Sequence, residues 1–206
     1  MFSSLGKEQF VPLLKVKDLN VDDALRIVEA LQLGGIGIME LIFRRHSDSI
    51  AIRAIAKEFP EFIIGAGHIL NGSQLRRAVD CKAKFATAPG LSGETINIAK
   101  KHNIMFAPGV VTPTELERVL LSGCVDFQFF PAEPSGGVDY LQAMIEPFEH
   151  LPIEVFPKGG ITSKNAQAYL DLSYVYAVSI SDIVTEGDIV TKNWQAITEA
   201  AKRIKM

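Results

Sequence analysis

Short apolar runs alternate with longer amphipathic segments along the whole chain. The apolar runs predict eight strands, FVPLLKV, IGIMELIF, FIIGAG, KFATA, IMFAP, DFQFFP, IEVFP and YVYAVSI. The segments between them predict helices. In the first of these, over residues 21–32, apolar side chains recur at i, i+3, i+4 and i+7 and form one stripe that can pack on a sheet.

Two helix starts are marked by capping residues. In TPTE, Thr112 is the predicted N-cap, Pro113 takes the first helical position and Glu115 the third, which is a capping box. In NGSQ, Asn71 and Gln74 have the same spacing. We therefore predict that helices begin at residues 113 and 72.

Strand and helix alternate without a long low-complexity linker, which favours parallel strands joined by crossover helices. Eight such units that close on themselves form a (β/α)₈ TIM barrel. We therefore predict an α/β fold in which residues 1–206 form a single (β/α)₈ barrel domain. An open doubly wound sheet is the alternative, but the early glycine fingerprint of a dinucleotide fold is missing.

Composition narrows the class of protein. The 206 residues are 48% hydrophobic and 22% charged, which is typical of a globular protein, and the net charge of -3 argues against nucleic acid as a partner. No apolar run approaches the ~20 residues of a membrane helix, and the first residues do not resemble a signal peptide. We therefore expect a cytoplasmic protein without a membrane segment. Cys81 and Cys124 are too few and too far apart for a disulfide framework or a metal site.

In a barrel of this kind the chemistry lies at the carboxyl ends of the strands. The residues at these positions are Lys15, Glu40, Arg44, His68, Pro89, Pro108, Gln128, Lys158 and Ser181. Glu40 stands inside an apolar strand, where loss of solvation would raise the pKa of a carboxyl group and suit it to move protons. The alternative is a structural ion pair between Glu40 and an arginine.

The segment FPKGGI combines a lysine with a glycine pair. Gly159 and Gly160 either cradle a phosphate with their backbone N–H groups or form a tight turn, and Ser181 would lie beside them. Lys158 has three interpretations: an amine whose pKa is lowered towards ~7–8 and that attacks a carbonyl, a cation that binds an anion, or a solvated side chain. Its position at a strand end favours the first two.

Five segments, GGIGIMELIFRR, AIRAIAKEFPEFIIGAG, FATAPGL, FFPAEPSGG and FPKGGIT, together resemble the 2-keto-3-deoxy-6-phosphogluconate aldolase family, whose members often also act as 4-hydroxy-2-oxoglutarate aldolases. The resemblance implies a cofactor-free, metal-free class I aldolase on a (β/α)₈ barrel, usually a homotrimer. Its partner is a small-molecule 2-keto acid, which a lysine binds as a Schiff base while a glutamate moves protons.

The resemblance also implies roles for individual residues. Glu40 matches the catalytic glutamate and Arg44 the anion-binding arginine. The remaining matches are Pro89 and Phe130 in the substrate pocket, Gly159, Gly160 and Ser181 in the phosphate loop region, and Lys15 as a second anion contact.

The chain departs from the family pattern at the nucleophile. The usual FKFFPAE, whose lysine forms the imine, reads DFQFFPAE here, so Gln128 stands where the lysine is expected. The usual PTGGI reads PKGGI, so Lys158 replaces a threonine on the next strand. Neighbouring strands lie about 4.8 Å apart, a gap that a lysine side chain can span. We predict that Lys158 is a relocated nucleophile, and that Gln128 binds the carbinolamine hydroxyl or the substrate carboxylate.

Further departures affect substrate binding. GAGT becomes GAGH, which places His68 where a pyruvate-binding threonine is expected; His68 either binds carboxylate and shares acid–base work or is merely packed. Ile42 replaces a threonine, which makes the pocket less polar. Ser179 with Ile180 replaces a glycine pair before Ser181, and this added bulk makes phosphate binding less secure than aldol chemistry.

An active aldolase for 2-keto-4-hydroxy acids is the leading hypothesis. The alternatives are a non-catalytic paralogue that binds sugar acids or other anions, motivated by the loss of the usual lysine, and a different carbon–carbon lyase or isomerase on the same barrel.

Overall fold

A computed structural model describes residues 8–16 and 19–205 of the chain. These residues form nine strand segments, β1 Phe10–Leu14, β2 Ile38–Ile42, β3 Ile63–Gly67, β4 Phe85–Thr87, β5 Met105–Ala107, β6 Gly109–Val110, β7 Asp126–Phe129, β8 Glu154–Pro157 and β9 Val178–Ile180. The same residues form nine α-helices, α1 Val21–Leu33, α2 His46–Glu58, α3 Gly72–Asp80, α4 Gly93–His102, α5 Pro113–Leu121, α6 Gly137–Ile145, α7 Ala166–Leu170, α8 Glu186–Val190 and α9 Trp194–Lys205.

All strand pairs are parallel. Six strands pair in the order β5-β4-β3-β2-β1-β9, and three pair in the order β6-β7-β8. The sheets are joined by an isolated parallel bridge between Lys158, directly after β8, and Ser179 in β9, and by a hydrogen bond that Gly109 N–H in β6 donates to the carbonyl of Gly90, after β4, at 3.1 Å. The chain therefore has an α/β fold with a curled parallel sheet.

Each of the eight predicted strands is confirmed, with one break that was not predicted. The predicted fifth run, IMFAP, ends at Pro108, where β5 breaks off and the chain continues as the unpredicted segment β6: β5 pairs with β4, whereas β6 pairs with β7. Proline has no N–H to donate to a strand ladder, so the strand can change its pairing partner at Pro108 without leaving an N–H group unpaired. The short helix α8 was also not predicted.

The capping predictions are confirmed at Thr112 and in part at Asn71. The Thr112 hydroxyl accepts from Glu115 N–H, and the Glu115 carboxylate accepts from Thr112 N–H at 3.0 Å. The Asn71 side chain accepts from Gln74 N–H. The Gln74 side-chain oxygen Oε1, however, accepts from Leu70 N–H and not from Asn71 N–H. Both helices therefore begin where the sequence indicates.

The core lies between the sheet and the surrounding helices. The apolar stripe of α1 is buried at Ala24, Val28 and Leu31, and every residue of β2 is buried. A polar side chain in β2 must consequently find its partners inside the protein. Among the described residues, none of the helices is long and apolar enough to cross a membrane.

Candidate active site

The predicted site residues lie at one edge of the sheet, because the carboxyl ends of parallel strands point the same way. The residues that follow strand ends are Lys15 after β1, Arg44 after β2, His68 after β3, Pro89 after β4, Phe130 after β7, Lys158 and the glycine pair after β8, and Ser181 after β9. Glu40 and Gln128 lie inside β2 and β7. The strand topology therefore brings these residues to a common end of the fold.

Glu40 and Lys158 form a buried ion pair. Both side chains are withdrawn from solvent, and the Lys158 Nζ donates a hydrogen bond to Glu40 Oε1. The interpretation of Lys158 as a solvated side chain is therefore wrong. The partner of Glu40 is this lysine, so the alternative of an ion pair with an arginine is also wrong.

Thr87 completes this group, which we name the Glu40 cluster (Glu40, Thr87 and Lys158). The fully buried Thr87 hydroxyl donates to Glu40 Oε1 at 2.7 Å and lies 3.4 Å from Lys158 Nζ. Glu40 Oε2 is buried and has no hydrogen-bond partner among the described residues. The two carboxylate oxygens therefore have different surroundings. Thr87 was missed from the sequence, where its only signal is a polar residue in the apolar run KFATA.

The glycine at position 67 makes room for the carboxylate. Gly67 lies in β3 in register with Ile42 of β2, and a Cβ placed on it would overlap Glu40 Oε1. Any larger residue would push the carboxylate out of its place. Because Gly67 has no side chain, the Glu40 carboxylate has room beside β3.

Burial and the ion pair have opposite effects on the Lys158 amine. Burial lowers the pKa of Lys158 because the ammonium loses its hydration, whereas the charge and the hydrogen bond of Glu40 raise it. The effect of burial is the larger, so the pKa of Lys158 lies below the ordinary lysine value. This environment brings the neutral, nucleophilic amine closer to physiological pH.

Gln128 presents one unused polar atom. Its side chain is fully buried, and Nε2 donates to the Ala88 carbonyl, whereas Oε1 is buried without a partner among the described residues. The free atom is thus a hydrogen-bond acceptor, whose natural partner is a hydroxyl or N–H group. Of the two roles predicted for Gln128, binding of a hydroxyl suits this free acceptor, whereas binding of a carboxylate would use the second N–H of Nε2, and both roles stay predictions.

His68 is held in an uncommon backbone conformation, with φ of 58°. Its Nδ1 lies 3.4 Å from Arg44 Nη2, and its ring meets Phe130 edge to face with centroids 5.5 Å apart. A guanidinium only donates, so Nδ1 accepts and the ring proton is on Nε2, which is buried and has no partner among the described residues. Burial first, and then the charge of Lys158, lower the pKa of His68 to about 4. At neutral pH the ring is therefore an uncharged Nε2–H donor.

A small cavity of about 120 Å³ lies beside these residues. It is lined by Lys15, Val16, Ile42, Arg44, Arg45, Asp48 and Glu186. Asp48 is already engaged by the N–H groups of Arg44 and Arg45, at 2.7 and 2.6 Å. Lys15, Arg44 and Arg45 outnumber the carboxylates of Asp48 and Glu186, so the lining of this opening has a small excess of positive charge. In the described part of the chain, no three His, Cys, Asp or Glu side chains are arranged to hold a metal ion.

The glycine pair forms a tight turn in the left-handed region, with φ of 105° at Gly159 and 83° at Gly160. The Gly159 carbonyl accepts from Glu133 N–H at 2.9 Å, which ties this turn to the segment after β7. Ser181 Oγ donates to the Ile161 carbonyl at 3.0 Å. The turn interpretation is confirmed, while phosphate binding stays a prediction. Pro89 follows β4, and its carbonyl lies so close to Gly109 that a Cβ on this glycine would overlap it.

Comparison with known proteins points to one family. Residues 2–200 match the family model for KDPG and KHG aldolase. The KHG/KDPG aldolase of Escherichia coli strain K12 is 38% identical over 192 residues, which cover 93% of this chain and 88% of the relative. The 2-dehydro-3-deoxy-phosphogluconate aldolase of Pseudoalteromonas atlantica is 37% identical over 193 residues, which cover 94% and 88%.

Solved structures of similar proteins extend this likeness to three dimensions. KDPG aldolase from Legionella pneumophila, with pyruvate captured as a covalent carbinolamine, superimposes with a TM-score of 0.90 at 34% identity and covers 97% of this chain and 95% of its own. The 2-keto-3-deoxy-6-phosphogluconate aldolase of Zymomonas mobilis, solved with 3-phosphoglycerate, gives a TM-score of 0.87 at 31% identity, with 98% and 93% covered.

Proposed function

The chain belongs to the KDPG and KHG aldolase family of lyases, and on this premise we propose that it is a class I aldolase with Lys158 as the imine lysine and Glu40 as the proton shuttle. The substrate would be a 2-keto-4-hydroxy acid such as 2-keto-3-deoxy-6-phosphogluconate or 4-hydroxy-2-oxoglutarate. The products would be pyruvate and glyceraldehyde 3-phosphate or glyoxylate. The buried contact between Lys158 Nζ and Glu40 Oε1 carries the proposal, because it joins an amine with a lowered pKa to a carboxylate that can exchange protons with it.

Imine formation begins with proton transfer inside the ion pair. Lys158 passes one proton to Glu40, and the neutral Nζ attacks the C2 carbonyl. A second proton then moves from this nitrogen to the C2 oxygen, which gives the neutral carbinolamine. Glu40 returns the proton to the C2 hydroxyl, which leaves as water. The positive charge that began on the ammonium then resides on the iminium, and Glu40 is a carboxylate again.

Carbon–carbon cleavage uses the same carboxylate. Glu40 takes the proton of the C4 hydroxyl, the C3–C4 bond breaks, and its electron pair moves towards the iminium nitrogen to give an enamine. The aldehyde departs, and Glu40 delivers the proton to C3. Water then hydrolyses the pyruvate imine, which releases pyruvate and restores the ion pair.

The other residues would hold the substrate. Arg44, which lines the opening, and the neutral Nε2–H of His68, whose Nδ1 lies 3.4 Å from Arg44 Nη2, suit its carboxylate. Lys15 supplies a second cation at that opening. Pro89 and Phe130 are proposed as walls of the pocket. Gly159, Gly160 and Ser181 are the proposed contacts of a distal phosphate. The proposed reaction requires no cofactor or metal, so activity is expected to survive chelator treatment.

We extend the proposal to the architecture. The bridge between Lys158 and Ser179 and the hydrogen bond from Gly109 N–H to the Gly90 carbonyl support closure of the two sheets into one (β/α)₈ barrel that forms a single domain. A homotrimer is proposed from family membership alone. Sedimentation equilibrium of the purified protein tests the trimer, which a monomeric mass would contradict.

Borohydride trapping tests the central proposal. Incubation with pyruvate and borohydride is expected to add one reduced pyruvate adduct, and peptide mass spectrometry is expected to place it on Lys158. The Lys158→Met variant should take up no adduct, while Lys84→Met, which removes another lysine, should label like wild type. An unmodified wild-type protein, or an adduct on Lys15, would refute the assignment.

One observation favours a second candidate. Glutamine at position 128 cannot form an imine, and a protein that had lost its nucleophile would still bind anions. Such a protein would show pyruvate-dependent thermal stabilisation but neither adduct nor turnover. A panel of 2-keto-4-hydroxy acids, with and without a terminal phosphate, would separate this outcome from a different carbon–carbon lyase.

A further inference from the structure

The two oxygens of the Glu40 carboxylate differ in what surrounds them. Oε1 accepts from both Thr87 Oγ1 and Lys158 Nζ, and it rests against Gly67, where even a Cβ would overlap it. Oε2 is equally buried but has no hydrogen-bond partner among the described residues. A buried polar atom that no protein group satisfies is free to serve a ligand.

We propose that Thr87 is a positioning residue, which fixes the Glu40 carboxylate so that Oε2 is the atom that moves the substrate proton. This inference rests on the proposed function. The inference goes beyond the proposed function because it assigns the proton transfer to one oxygen of Glu40 and gives a role to Thr87, a residue outside the predicted site.

The hydroxyl of Thr87 is needed because the other donor is consumed in the reaction. Once Lys158 becomes an iminium, its nitrogen keeps a single hydrogen and moves with the substrate. Thr87 then remains the fixed donor to Oε1 at 2.7 Å. Without this contact, the carboxylate can turn away from the proton it must transfer, and an error of about 1 Å can lower a rate by about 10²-fold.

The packing of the cluster makes Oε1 a poor candidate for the same task. Thr87, Lys158 and the backbone of Gly67 already occupy its surroundings, so a substrate hydroxyl cannot approach it without displacing one of them. An oxygen that accepts two hydrogen bonds is also a weaker base than one that accepts none. Both considerations assign the proton transfer to Oε2.

The test compares Thr87→Val, which keeps the shape and removes the hydroxyl, with Thr87→Ser, which keeps the hydroxyl. The control is Thr95→Val. Thr95 is also buried, but its hydroxyl donates to the Ser92 carbonyl at 2.8 Å, at the start of α4. Three rates are measured for each protein: borohydride trapping of pyruvate, deuterium exchange into the pyruvate methyl group, and retro-aldol turnover.

For Thr87→Val we expect trapping within about 3-fold of wild type, because Lys158 still holds Glu40 Oε1 while the imine forms. Deuterium exchange and kcat should fall by about 10- to 100-fold with little change in KM, because Thr87 is the remaining donor to Oε1 once Lys158 is an iminium. Thr87→Ser should restore most of the exchange rate, and Thr95→Val should match wild type.

Wild-type exchange in Thr87→Val, or equal losses of trapping and exchange, would overturn the inference. A Thr87→Ser variant as slow as Thr87→Val would also overturn it. If Thr87→Val does not fold, Thr87→Ser is compared with wild type alone, and a loss of exchange beyond about 10-fold in the serine variant would overturn the inference. A wild-type protein that traps no pyruvate would instead refute the proposed function, and the inference with it.

Discussion

Lys158 and Glu40 are 118 residues apart in the chain and form an ion pair with side-chain exposures of 1% and 0%. Removing two charges from water is costly, and their attraction offsets that cost only while both are present. The pair is therefore a weak source of net stability but a strong constraint on substitution. The arrangement places an amine and a carboxylate in contact at the carboxyl end of the strands, the end at which parallel α/β sheets bind their ligands.

Removing one member of the pair is expected to destabilise the protein more than removing both. Lys158→Met should lower the free energy of unfolding at pH 7 by about 3–5 kcal/mol, because it leaves the Glu40 carboxylate buried and unpaired. The double variant Lys158→Met/Glu40→Gln should recover part of this loss, since no charge stays buried. Urea unfolding of wild type, of the single variants Lys158→Met and Glu40→Gln, and of the double variant measures the difference and completes a double-mutant cycle.

An exposed ion pair supplies the control for this cycle. Arg26 and Glu29 lie 2.8 Å apart with side-chain exposures of 62% and 45%, and Arg26→Met should cost less than about 0.5 kcal/mol. Strictly additive losses in the Lys158 and Glu40 variants would contradict a coupled buried pair.

Gly67→Ala is predicted to impair turnover without removing either catalytic candidate. The added methyl group would overlap Glu40 Oε1 and force the carboxylate to move. We expect kcat to fall by at least about 10-fold, because proton transfer tolerates little displacement. Gly93→Ala is the matched control, since a Cβ there has no atom within 4 Å. Wild-type turnover in Gly67→Ala would show that the space beside Oε1 is unimportant.

Most of the fold was predictable because it depends on local patterns. Strand positions follow from short apolar runs, and the start of α5 follows from the capping box of Thr112 and Glu115. The break at Pro108 was not predicted, because the change of pairing partner from β4 to β7 depends on how the sheet curls. Helix α8 is too short to leave a clear apolar period.

The candidate site was predictable residue by residue but not as a set of contacts. Glu40 is conspicuous as a charge inside an apolar strand, and Lys158 as a charge at a strand end. Their contact depends on side-chain lengths and on packing across the interior of the sheet, which no local pattern encodes. Thr87 was missed because threonine is common in strands, so its type does not distinguish a hydroxyl that binds a carboxylate from one that only packs.

His68 is predicted to make stability depend on pH between about 6.5 and 4. Its pKa is lowered to about 4 in the folded protein, whereas an unfolded chain has an ordinary histidine pKa near 6.5. The unfolded state therefore binds a proton first as the pH falls, and stability is lost through this range.

The free energy of unfolding is measured against pH for wild type and for His68→Asn. Asparagine is chosen because it also tolerates the left-handed backbone at this position. Between pH 7 and pH 5, wild type should lose roughly 1–2 kcal/mol more of its free energy of unfolding than the variant. His102→Asn, on the surface of α4, should follow wild type. Equal pH dependence in wild type and His68→Asn would contradict a lowered pKa for His68.

Gln128 is predicted to assist imine formation although it cannot form an imine. Its free atom is the acceptor Oε1, and Lys158 follows the adjacent strand β8, so the hydroxyl of a carbinolamine at C2 is the donor that this oxygen suits. Gln128→Leu removes the acceptor at similar volume, and we expect the rate of borohydride trapping with pyruvate to fall by about 10-fold, the equivalent of one hydrogen bond of ~1.4 kcal/mol. Gln167→Leu, which removes an exposed amide bound to Asp171 at 2.8 Å, should trap at the wild-type rate. If Gln128→Leu traps pyruvate normally but cleaves a 2-keto-4-hydroxy acid slowly, Oε1 serves the C4 hydroxyl instead, and the assignment to the carbinolamine is wrong.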